Sequence, residues 1–203
     1  MAALNTDSDL SKRKQATRDV AILMFLTHQP PDRVGVCRLL KLGSTLKRTP
    51  NGGFDLDLSQ PGDHKTIAAF GPTCTTVPMA IARAFHAHLN LSQVPHGGYV
   101  FAAADSPFDP LTPVQWTRLV QRIFKQHSGV ALAPKDLRSS HVTWLRGDEH
   151  DDETLRSAAL AMRHSSKTAA SSSYDKERSD RLVQKSMHAA AEFAARFRPE
   201  ELD

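Results

Sequence analysis

The chain is expected to adopt a mainly α fold with a small antiparallel β-sheet, an α+β class, on three observations. Apolar residues recur at three- and four-residue steps over most of the 203 positions, and one stretch between residues 54 and 77 switches to strict alternation. Proline, glycine and threonine punctuate the changes of period. A hydrophobic share of 40% suffices for a buried core at this length.

Residues 1–15 are polar and end in Lys12, Arg13 and Lys14, the composition of a flexible basic arm. From about Ala16 to Thr27 the residues Val20, Ile22, Leu23, Phe25 and Leu26 predict a largely buried helix, stopped by Pro30 and Pro31. A second helix is expected over about Asp32 to Lys41, with Asp32 as its cap. Phe54, Leu56 and Leu58 then alternate with Asp55 and Asp57, a Pro-Gly-Asp turn follows, and Thr73 to Val77 reads as a further strand, giving a hairpin or a three-stranded sheet.

Helical spacing resumes over Met79 to Leu89, and a Pro/Gly-rich loop runs from Ser92 to Pro110 with Tyr99 to Phe101 as a short strand. Thr112 as cap and Pro113 at the first helical position open a helix closed by Gly129, with Trp116, Leu119, Val120, Ile123 and Phe124 on its apolar side. Helices are expected at about 134–146, 152–163 and 166–173. The last spans Asp180 to Arg198, with Leu182, Val183, Met187, Ala190, Phe193 and Ala194 in one stripe.

A mean hydropathy of −0.40, with no run near the roughly 18 apolar residues of a membrane span, argues against membrane residence. The first fifteen residues carry charges where an export signal needs its apolar region, so the chain is expected to stay inside the cell. Cys37 and Cys74 form neither a CxxC pair nor a zinc-type cluster and read as ordinary core or loop thiols. The net charge of +4 suits a polyanionic partner, because each phosphate neutralised by Lys or Arg releases counterions.

Four boxes succeed one another. PPDRVGVCRLLKLG places Arg33 at a helix start ahead of small and apolar residues, and DHKTIAAF places Lys65 just after the Pro61-Gly62 turn of the hairpin. PKDLRSSHVTWL holds Lys135 three residues before Arg138, with His141 one helical turn further on a nearby face. LRSAALAMRHSSKTAASSSYD closes an apolar helix on His164 and reaches Tyr174 ten residues later. Singly, the basic residues read equally as solvated surface charges, His164 as a helix cap and Tyr174 as a core aromatic. Their order is the informative feature. In that order they resemble the catalytic domain of the tyrosine recombinases, the phage integrase-like family. Its signature is an Arg, a hairpin Lys, a His or Lys three residues before a second Arg, a His or Trp, and a C-terminal Tyr.

The resemblance implies the catalytic core of a DNA breaking-rejoining enzyme over residues 16–203, without a separate N-terminal core-binding domain. It makes Arg33, Lys65, Lys135, Arg138, His164 and Tyr174 the catalytic set, and Lys12, Arg13, Lys14 and His141 contacts to DNA. It also implies duplex DNA as partner, a nuclear or nucleoid location, no metal or other cofactor, and a homo-oligomer assembled on DNA through the C-terminal helix. The simpler reading of that helix is that it covers its own core. Arg163 stands where the family usually has Gly, and the spacing from His164 to Tyr174 is one residue longer than the family's. Tyr99, the other tyrosine, precedes the second Arg box, which leaves Tyr174 as the nucleophile of an active member.

These residue types suit phosphoryl transfer. Charge builds on the non-bridging oxygens during attack, and two guanidiniums supply fixed bidentate donors that stay charged. A phenol with an ordinary pKa near 10 becomes a nucleophile when its proton is taken or cations stabilise its anion. A flexible hairpin Lys suits the general acid for the leaving 5′ oxygen, and His164 a phosphate donor or proton carrier. Type IB topoisomerases share this set, including the KxxR form of the second box. A DNA-binding protein of the same fold that has lost catalysis, or an unrelated helical domain, are the other readings.

Overall fold

The computed structural model describes residues 2–62, 71–103, 106–147, 152–162 and 176–196. The first helix, α1, spans Ala2–Thr27, so the expected flexible arm is helical and continuous with the buried segment. Residues 2–15 contain no Pro or Gly and several good helix formers. Once the packed half has nucleated, extending the helix through them adds one hydrogen bond per residue ordered. Its C-terminal half buries Ala21, Ile22, Phe25 and Leu26.

After the proline pair, α2 is a short helix, Val34–Arg38, with Arg33 rather than Asp32 at its cap position. The expected continuation to Lys41 fails because residues 40–42 pair with the Gly-rich loop instead. Val100 N–H donates to Leu40 O at 2.8 Å, Leu42 N–H to Gly98 O at 3.0 Å and Gly97 N–H to Leu42 O at 2.8 Å. Gly43 lies beside that contact with φ +85, and a Cβ there would overlap the His96 ring. Only glycine supplies both the left-handed backbone and the space.

The sheet has three strands: β1 Leu46–Arg48, β2 Phe54–Leu58 and β3 Thr73–Thr76, in the order β1-β2-β3 and antiparallel throughout. Phe54, Leu56 and Leu58 are all buried, as their alternation with aspartates predicts. β1 was not legible as a strand because it is only three residues long. Leu58 pairs with Thr73, so residues 59–72 connect the two ends of a hairpin.

Helix α3, Met79–Ser92, lies against α1 and ends on Gln93 in a left-handed conformation. The loop beyond it carries β4, Ala102–Ala103, and β5, Ser106–Pro110. The strand expected at residues 99–101 is instead one bridge, Tyr99 to Lys41, and two buried residues, Val100 and Phe101.

Helix α4, Pro113–Ser128, opens with the expected device: Thr112 Oγ1 accepts from Gln115 N–H at 3.2 Å and the Gln115 side chain accepts from Thr112 N–H at 2.8 Å. This reciprocal cap is worth about 1 kcal/mol. Gly129 closes the helix with φ +77. Trp116, Val120, Ile123 and Phe124 join α1, α2, the sheet and α3 in one core.

Helices α5, Pro134–Gly147, and α6, Asp152–Ala161, follow, and the chain resumes with α7, Lys176–Arg196. The helix expected at 166–173 lies outside the described residues. α7 packs chiefly against α6 and also touches β3, burying Val183, Met187 and Ala190 beside Ala158 and Met162. Its apolar face therefore covers its own chain, the simpler of the two expectations for this helix. Cys37 is buried and Cys74 exposed on β3, and neither is in a disulfide. Among the described residues no helix is long and apolar enough to cross a membrane.

Candidate phosphoryl-transfer site

Arg33 stands at the entrance to α2, half-buried, in extended backbone (φ −69, ψ 150). Its own N–H donates to Asp32 Oδ1 at 2.7 Å, and Asp32 is only 4% exposed. The aspartate expected to cap the helix thus anchors the arginine's backbone one residue earlier. Asp32 also lines a cavity of about 20 Å³ together with Gln29, Thr75, Ala161 and Met187. The start of α2 and the end of α6 therefore meet beneath the sheet.

Lys135 and Arg138 are on α5, in the expected three-residue spacing. The helix begins with Asp136 reaching back to accept Ala133 N–H at 2.8 Å, which holds the first turn in place. Lys135 is exposed and Arg138 half-buried. Arg138 Nη2 donates to Met162 O at 3.0 Å, so the second arginine box reaches the same end of α6 that faces Asp32. His141, half-buried, follows on α5.

Lys65 lies outside the described residues, within the hairpin connection that leaves β2 after Leu58 and returns at Thr73. His164 and Tyr174 also lie outside them, in the segment between Met162 and α7. Arg138 is thus bonded next to the end of α6, and Asp32, the neighbour of Arg33, lines a cavity with Ala161 at that same end.

Of the cations expected to meet DNA, Lys12 and Arg13 are exposed and Lys14 is half-buried on α1. Lys14 lies beside Arg18, which sequence reasoning passed over. The signal for it was present. Ser11, Lys14, Gln15 and Arg18 continue, at helical steps, the stripe that Ile22 and Phe25 occupy further on. Among the described residues no three His, Cys, Asp or Glu side chains converge as a metal site.

One buried histidine has a defined electrostatic environment. His88 Nε2 donates to Val100 O at 2.8 Å, and its Nδ1 is hydrogen-bonded with the Ser92 hydroxyl at 3.2 Å. Burial holds its pKa below the ordinary 6.5; nearby Arg18 pushes the same way, opposed by the Val100 bond and by Asp19. On the sheet, Lys47 Nζ donates to Asp57 Oδ2 at 2.6 Å, and this bond, with help from Ser59, keeps the Asp57 carboxyl below its ordinary range.

No protein-family model and no curated protein sequence matches this chain.

Proposed function

We propose that this chain cleaves and rejoins duplex DNA at specific sites through a 3′-phosphotyrosine, in the manner of a tyrosine recombinase. The observation that supports the reading is that two boxes whose arginines are 105 residues apart in sequence both neighbour the end of α6. Arg138 bonds to the last turn of α6, and Asp32, which holds the Arg33 backbone, shares a cavity with Ala161 of that turn.

In this reading Arg33 and Arg138 hold the non-bridging oxygens of the scissile phosphate, with Lys135 and His164 as further donors. Tyr174 attacks phosphorus, the bond to the 5′ oxygen breaks, and Lys65 protonates that oxygen. The products are a 3′-phosphotyrosine and a 5′-hydroxyl. The covalent bond retains the phosphodiester energy, so attack by a 5′-hydroxyl restores the strand and releases Tyr174.

A second reading, relaxation of DNA in the manner of a type IB topoisomerase, has its own support. The apolar face of α7 is covered within the chain, which suits an enzyme acting as a monomer. The test is incubation of the protein and of Tyr174→Phe with nicked duplex DNA, followed by a denaturing gel. A covalent adduct that disappears in the variant supports strand cleavage through Tyr174. Retained DNA binding without any adduct refutes it in favour of a silent DNA-binding protein. Relaxation of supercoiled DNA by isolated monomers selects the topoisomerase reading.

A further inference from the structure

A cleft of about 450 Å³ separates the middle of α1 from the end of α3 and the β4–β5 hairpin, away from the arginine boxes. Its α1 wall is Ser11, Lys14, Gln15 and Arg18. These positions fall at steps of three, one and three residues, a single helix face, and four residues on from Arg18 the same face carries the fully buried Ile22. A helix that turns a face to its own body ordinarily makes it apolar. Here the face changes from apolar to cationic where the body recedes, so the space beneath is built for a polar occupant.

Among the described residues the cleft walls supply no carboxylate against its two cations. Asp19, the nearest carboxylate on α1, is committed to α4: Arg122 Nη2 donates to its two oxygens at 3.1 and 2.9 Å. Arg18 reaches Asp19 only at 3.4 Å, with its side chain 30% exposed. Lys14 pairs with no carboxylate among the described residues. The opposite wall offers the Gln93 amide, the Ser92 hydroxyl being bonded to the buried His88, and the α1 wall adds the Ser11 hydroxyl and the Gln15 amide.

We infer that this cleft binds a phosphate group between Lys14 and Arg18, as a contact separate from the candidate cleavage site. Two cations one helical turn apart, with amide and hydroxyl donors around them and water access, match the tetrahedral oxygens of a phosphate. The duplex backbone is the favoured source, and for that source alone the inference rests on the reading of the chain as a DNA enzyme. A free phosphate has the same chemistry.

The experiment compares the full chain with Lys14→Gln/Arg18→Gln and with a control of equal charge loss at exposed positions of α4, Arg118→Gln/Lys125→Gln. Duplex affinity is measured against salt, and affinity for inorganic phosphate by titration calorimetry; circular dichroism checks that the helices are intact. For a backbone contact, the Lys14/Arg18 variant lowers the salt slope by about 0.9, the contribution of one phosphate contact, and the control lowers it less. For a free phosphate, calorimetric binding is lost in that variant and kept in the control, whether or not the protein binds duplex DNA. Unchanged salt slope together with no phosphate binding that depends on Lys14 and Arg18 overturns the inference, even where the wild-type protein still binds and cleaves duplex DNA. Equal effects from both variants overturn it as well, because they report general charge rather than a site.

Discussion

Arg138 donates through Nη2 to the carbonyl oxygen of Met162 at 3.0 Å, so the second arginine box of α5 is tied to the point where the chain leaves α6 toward His164 and Tyr174. The guanidinium is a planar fork of five N–H donors, a geometry that matches the paired oxygens of a phosphate. Replacing Arg138 by Lys keeps the charge and loses the fork. Covalent adduct formation on nicked duplex is expected to slow by about 100-fold or more, the cost of removing one preorganised donor from a developing oxyanion. A single-turnover gel assay with both proteins at matched DNA occupancy measures it, and a wild-type rate would remove Arg138 from the site.

Asp19 and Arg122 hold α1 to α4. The aspartate side chain is only 6% exposed, whereas the arginine is 40% exposed. Truncating the arginine leaves a buried carboxylate whose remaining cationic contact is the longer one to Arg18 at 3.4 Å. Arg122→Ala is therefore expected to cost about 2 to 3 kcal/mol in urea unfolding. Asp19→Leu combined with Arg122→Leu should cost less than Arg122→Ala alone, because no charge is then left buried.

Phe85 is the centre of the aromatic core. Its ring centroid lies 5.5 Å from Phe25 on α1, 5.9 Å from Phe54 on β2 and 6.1 Å from Phe101 in the loop. It is fully buried, so Phe85→Ala opens a cavity shared by three elements. A loss of about 3 to 5 kcal/mol is expected in denaturant unfolding. A loss below 1 kcal/mol would mean that the core closes around the gap.

His88 should make stability depend on pH. Its folded pKa lies below the unfolded value near 6.5, so over the interval between the two the unfolded chain binds more protons and stability rises with pH. The full contribution is present above 6.5 and is lost as pH falls through the lower, folded value. His88→Gln retains an amide donor for Val100 and cannot take up the proton. The melting temperature of this variant should fall less than that of the wild type between about pH 7.5 and pH 5, whatever its stability at neutral pH.

The legible parts of the fold are those in which local chemistry and tertiary packing agree. Thr112, Pro113, Gln115 and Gly129 carry the start and stop of α4 in four residues, and each does so in the structure. Phe54, Leu56 and Leu58 alternate because one face of β2 is buried, and a period of two is visible without knowing what lies beneath. For the candidate site, the order of Arg33, Lys65, Lys135, Arg138, His164 and Tyr174 was legible, since order is a property of the chain.

What the sequence by itself determined is therefore the packed half of α1, the strands β2 and β3, the start and stop of α4, the basic character and the succession of boxes, all of which depend on neighbours within a few residues. Only the tertiary structure decided that α2 stops at Arg38, because the hydrogen bonds that end it come from residues 97–100. It decided that residues 2–15 are helical, since that follows from a nucleus formed by packing further along the helix. It decided that α7 covers α6 and that Arg138 reaches Met162. Partners distant in sequence leave no periodicity to read, because the free energy of such a contact depends on which surfaces the fold brings together.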